Sequence, residues 1–262
     1  MEKAMRIAEI IPVGCLEKTA QNQYHMCLAH LVQQNDEYTK FYRRMSNEGK
    51  YVLMDNGAAE GSQLDIEGLI ECYEKVQPTE IVLPDTLCNS EETVQKSVRA
   101  LQLLKDRGLL KNRRVMFVPQ GKTFREWCNC LQTFMAYACT SVDTIGVSKF
   151  LEMETGDSDV RMKAVRYLDE HCKWYEIHLL GCSEGPDAIK ECHELSTHVR
   201  GCDSAFAYIC TQAGVTIGPD TKRPSGEIDF LNGPDYDGLE QNMKSFEVAI
   251  GVSDNTVTES WR

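Results

Sequence analysis

Short apolar, β-branched runs alternate with amphipathic stretches along the chain, which predicts an α/β fold of repeated βα units. An open, doubly wound sheet would give the same rhythm, but two observations favour closure into a (β/α)8 barrel of the TIM type. About eight strand candidates fit a chain of 262 residues, close to the length such a barrel needs. No Gly-rich dinucleotide turn follows the first strand.

In chain order, the expected strands are RIAEII (6–11), YVLM (51–54), EIVLP (80–84), RVMFVP (114–119), VDTIGV (142–147), YEIHLL (175–180) and VRGC (199–202). GEIDFL (226–231) is the least regular and is taken as the eighth. The apolar N-terminal stretch reads as the first strand and not as a signal peptide. The connection from Cys15 to Gly49 is long and is expected to hold two helices. Helical periodicity marks 64–76, 91–108, 123–138, 159–172 and 186–196. Ser90 is the expected N-cap of the second of these and Gly108 its stop. Strand-to-strand spacing of about 25–35 residues leaves room for one helix and two tight loops per step. No linker or low-complexity segment divides the sequence, so one domain is expected over 1–262, with a mobile tail from about Gly251.

Composition excludes several classes of function. No apolar run approaches the roughly 18 residues that cross a bilayer, and a cytoplasmic protein is expected. The twelve cysteines are scattered, without CxxC pairs or a CxxC…H spacing, so reduced, mostly buried thiols are expected and no metal site. A net charge of −12 argues against a general nucleic-acid binder. The Lys105–Arg114 cluster reads as a solvated helix end. GKT at 121–123 is not a phosphate loop, because Met116 stands where a glycine is required. DNGAAEG lacks the later ligands of a calcium loop.

Polar residues gather where the apolar runs end: Asp55 in MDNGAAEG, Asp85 in LPDTL, Gln120 in VPQGKT, Gly146 in IGVSK, Gly181 and Ser183 in LLGCSEG, and Asp203 in GCDSAFAY. In a parallel barrel these positions fall on the C-terminal rim, where barrel enzymes carry their chemistry. Each alone is explained as a helix cap or a turn residue. Three aspartates and a glutamine on one rim suit a planar, donor-rich heterocycle such as guanine, whose N–H and exocyclic amine a carboxylate accepts together. A further carboxylate can attack an anomeric carbon, and another can move a proton to the departing base. His178, inside YEIHLL, reads as a packed strand histidine.

These motifs, in order over roughly residues 50–210, resemble the tRNA-guanine transglycosylase superfamily, barrel enzymes that exchange guanine for a 7-deazaguanine. MDNGAAEG is similar to the family's D-S-G-hydrophobic-Q segment, which implies that Asp55 transfers a proton beside the base. LPDTL implies that Asp85 reads the guanine edge, and VPQGKT, similar to V-Q-G, implies that Gln120 is a base ligand. IGVSK resembles A-V-G, with Gly146 nearest the residue whose backbone meets the base carbonyl. HLLGCS resembles L-M-G-hydrophobic-G and implies that Leu180 is a platform for the ring. GCDSAFAY is similar to F-D-S-A-S-Y and implies that Asp203 is the nucleophile on C1′. Matching Gly201 to the G-x-D-M-F-D pattern instead puts Phe206 there, but a carboxylate is needed and the D-S-A match is continuous.

Two departures narrow what the resemblance implies. The family's tRNA enzymes carry a C-x-C-x-x-C…H zinc site after the nucleophile, whereas Cys210 is the only cysteine after Asp203. The chain is also much shorter than those enzymes. Both make it most like the phage DNA-guanine transglycosylases, which would act in the host-cell cytoplasm. The implied activity is that of a pentosyltransferase without a cofactor, with guanine-containing DNA and a free 7-deazaguanine such as 7-cyano-7-deazaguanine as partners. Lys122, Lys149, Lys222 and Arg223 are candidates for a local basic strip along DNA. The alternatives are exchange or hydrolysis on tRNA or a free nucleoside, and a non-catalytic 7-deazaguanine-binding protein.

Overall fold

The computed structural model describes residues 5–59, 61–182 and 184–252. Its eight strands are β1 (Arg6–Glu9), β2 (Tyr24–Leu28), β3 (Tyr51–Asp55), β4 (Glu80–Val82), β5 (Arg114–Phe117), β6 (Thr144–Ser148), β7 (Glu176–Leu180) and β8 (Val199–Ser204). All seven ladders are parallel, in the order β1-β8-β7-β6-β5-β4-β3-β2. Strands β1 and β2 lie side by side, and among the described residues no ladder joins them. The sheet is thus a nearly closed (β/α)8 barrel of the TIM type.

Helices fill the crossovers from β2 to β8 and continue after β8: α1 (Ala29–Gln34), α2 (Asp36–Asn47), α3 (Ile66–Val76), α4 (Ser90–Asp106), α5 (Phe124–Ala138), α6 (Phe150–Thr155), α7 (Val160–His171), α8 (Pro186–Leu195), and then α9 (Phe206–Gln212) and α10 (Leu239–Ala249). Their starts follow ordinary capping chemistry, in which a side-chain oxygen satisfies an orphan N–H. Asn35 accepts from Tyr38, Asp65 from Gly68 and Thr123 from Glu126. The cap of α4 is Asn89, which accepts from Glu92, so the expected cap at Ser90 moves back one residue. Among the described residues no helix is long and apolar enough to cross a membrane.

The expected eighth strand is corrected. Residues 226–231 form no strand; they belong to an irregular strap, 213–238, between α9 and α10. The missing strand is β2, inside the 15–49 connection; the two helices expected there are present as α1 and α2, which follow it directly. The strap is tied to the barrel where the Val13 N–H donates to the Phe230 carbonyl (2.8 Å) and the Tyr208 hydroxyl to the Pro234 carbonyl (2.9 Å). Gly233 sits where a Cβ would come 2.5 Å from Pro12 Cγ and 2.7 Å from the Tyr208 hydroxyl. Ser183 and residues 253–262, which include most of the expected tail, lie outside the described residues.

The register decides what faces the barrel axis, because alternate residues of a strand share a face and paired residues share it too. Met26 pairs with Leu53, Leu28 with Asp55, Ser148 with Leu180, and both Leu180 and Ala8 with Asp203. The lower interior is ionic. Arg200 donates to Glu80, to Glu176 (2.9 Å) and to the Tyr51 hydroxyl (2.7 Å), while Thr144 donates to Glu80 (2.6 Å) and Arg114 to Glu176 (2.7 Å). The apolar core lies mainly between strands and helices, for example where Phe117 stacks on Phe134 at 3.7 Å.

Candidate active site

Above the ionic layer, the strand ends and the strap enclose a cavity of about 500 Å³. Asp55, Asp85, Gln120, Leu180 and Asp203 all line it, although 148 residues separate the first from the last in sequence. Asp55 ends β3, and Asp203 lies near the end of β8. Asp85 and Gln120 stand just beyond β4 and β5. The strap supplies Ile228, Phe230, Glu227 and Arg223 to the mouth.

Asp85 and Gln120 are buried and bonded to each other, Gln120 Nε2 donating to Asp85 Oδ2 at 2.5 Å. Asn56 Nδ2 donates to the other carboxylate oxygen at 2.8 Å and to the Leu83 carbonyl at 2.9 Å. Gln63 closes the set by donating to the Asp85 carbonyl (2.7 Å) and to Asn56 Oδ1 (3.2 Å). Burial pushes the Asp85 carboxyl up to about 6, against the opposing pull of the Asn56 and Gln120 amides. The two amides, with the backbone N–H of Asp85 itself, take up part of the carboxylate's acceptor capacity, and the remainder is open to a ligand N–H donor.

Asp55 is half-buried, and its Oδ2 accepts from the Gly57 N–H (2.9 Å), a turn that follows β3 directly. Asp203 is held through Oδ1, which accepts from His178 Nε2 at 3.0 Å and from the Gly181 N–H at 3.3 Å. Leu180, half-buried at the end of β7, borders the cavity beside Ser148 and Val118.

Gly146 does not line the cavity. It lies mid-strand in β6, where a Cβ would come within 2.9 Å of both Leu180 Cδ1 and Val118 Cγ2. The glycine leaves room for those two side chains, which do reach the cavity, and so shapes the floor from below. Of the four cations considered for a nucleic-acid strip, Lys149 and Arg223 line the cavity, while Lys122 and Lys222 are exposed outside it.

His178, Tyr24, Asn56 and Gln63 belong to the site's hydrogen-bond framework, although the sequence reading did not single them out as functional. His178 is a packed strand histidine, as the sequence suggested, and is also bonded to Asp203. Its partners lie 25 and 154 residues away, so only the strand register could have revealed them. Among the described residues no group of three or more His, Cys, Asp or Glu is placed to hold a metal ion. All twelve cysteines are free thiols. No protein-family model matches the chain, and no curated protein does.

Proposed function

We propose that the protein exchanges a guanine base in DNA for a 7-deazaguanine through a covalent aspartyl intermediate. One observation carries the reading: Asp55, Asp85, Gln120 and Asp203, contributed by four separate βα units, border a single cavity of about 500 Å³. In this reading Asp85 and Gln120 hold the edge of the base and Leu180 packs on its ring. Lys149 and Arg223, at the mouth, face the phosphates on either side of an extruded nucleotide.

Asp203 attacks C1′ through a carboxylate oxygen; the C1′–N9 bond breaks and its electron pair leaves with guanine, which takes a proton from Asp55. The incoming base then returns a proton from N9 to Asp55 and attacks C1′. The C1′–aspartate bond breaks, and the Asp203 carboxylate is regenerated. Protons and charge balance over the cycle, so no cofactor is required.

The net charge of −12 favours a second reading, in which the nucleoside is free or lies in tRNA. The two separate when the protein is incubated with guanine-containing DNA, tRNA or guanosine together with a labelled 7-deazaguanine. Label in DNA is expected; label in tRNA or nucleoside alone would favour the second reading. Binding of the base without any exchange or base release would make the protein a non-catalytic binder. Asp203→Asn is expected to lower exchange by at least about 10³-fold with base binding retained, and normal turnover by that variant would overturn the nucleophile assignment.

A further inference from the structure

Beneath the cavity, Asp203 is the upper end of a buried chain. Its Oδ1 accepts from His178 Nε2 (3.0 Å), and His178 Nδ1 lies 2.8 Å from the Tyr24 hydroxyl. His178 and Tyr24 are both fully buried. A carboxylate only accepts hydrogen bonds, so Nε2 carries the proton toward Asp203. Nδ1 of the neutral ring then accepts from Tyr24, which fixes one tautomer and one ring orientation. Burial pushes the His178 pKa down, and this outweighs the upward pull of Asp203, so the ring stays neutral. The other charged groups acting on it are Arg200 of β8 and Glu80 of β4, which oppose each other. With Oδ1 engaged twice, by His178 and by the Gly181 N–H, Asp203 has Oδ2 left for the cavity that it lines.

We infer that His178 is the positioning residue of Asp203: held as its Nε2–H tautomer by Tyr24, it pins Oδ1 and leaves Oδ2 as the oxygen that meets the anomeric carbon. The attack on C1′ rests on the exchange reading above; the tautomer does not.

Nitrogen-15 spectra of histidine-labelled full-length protein test the tautomer directly. A neutral His178 with protonated Nε2 and bare Nδ1 is expected, unchanged across the neutral pH range. Tyr24→Phe should loosen that preference. In exchange assays His178→Leu is expected to lose about 10²-fold in kcat, with the KM for the incoming base almost unchanged. His178→Gln, whose amide N–H can reach Oδ1, should recover most of the rate. A His178 that carries its proton on Nδ1, or a folded His178→Leu variant with wild-type kcat, overturns the inference. If His178→Leu does not fold, the spectrum and the Tyr24→Phe and His178→Gln variants still decide it. Exchange by the wild type with the wrong tautomer removes this inference alone. No exchange in any polymer or nucleoside removes the functional reading, and attack from Oδ2 with it.

Discussion

Among single residues, Asp85 shows how burial and hydrogen bonding oppose each other. The carboxyl is 3% exposed, and its ionised form is stabilised by two amide donors that do not fully offset desolvation. Its pKa of about 6 lies above the ordinary value, so the group is a carboxylate above that pH and gains a proton as pH falls through it. A protonated carboxyl presents a donor where the proposed base also presents donors. Guanine affinity, measured by calorimetry, is therefore expected to be constant above neutrality and to fall about tenfold per pH unit below about 6. Asp85→Asn should bind more weakly and lose this pH dependence. A wild-type affinity that is flat down to the ordinary carboxylate range would separate Asp85 from base binding.

The elements explain what could and could not be read from sequence. Asp55, Asp85, Gln120 and Asp203 were legible because position within a βα unit fixes the rim: a polar residue ending an apolar run has one place to go. Strand β2 was not legible, since YHMCL is buried at every position, shows no alternation and runs straight into α1 without a turn. The strap resembles a strand in sequence for the opposite reason. GEIDFL alternates apolar and acidic residues like a strand, yet Ile228 and Phe230 border the cavity, Asp229 between them is exposed, and exposed Glu227 stands at the cavity's edge. Gly233 holds that strap close to Pro12 and Tyr208. Gly233→Val is accordingly expected to displace it, raising the KM for the base severalfold and exposing 213–238 to limited proteolysis. The unfolding midpoint should move little, because the barrel ladders are untouched. A variant with unchanged KM and proteolysis would show that the strap does not form the cavity wall in solution.

Across the whole molecule, the barrel is polar at both levels of its axis, and the two levels touch. Arg200 lies 5.0 Å from the Tyr51 ring and 5.9 Å from the Tyr24 ring, and it joins Glu80 and Glu176 below the chain that ends at Asp203. Such a buried network adds little net stability over an apolar filling, but removing one member strands the others without partners. Arg200→Met leaves Glu80 without a guanidinium and Glu176 with only that of Arg114, and is expected to cost about 3–5 kcal/mol in urea unfolding. Adding Glu80→Gln should recover part of that loss, which two independent contacts would not do. Because Tyr24 packs against Arg200, the single variant should also lose exchange activity, so stability and rate fall together. His178→Gln, one step higher on the same axis, should leave the unfolding midpoint nearly unchanged. A fully stable Arg200→Met protein would mean that the lower carboxylates take up protons at little cost, and that the ionic layer does not brace the residues above it.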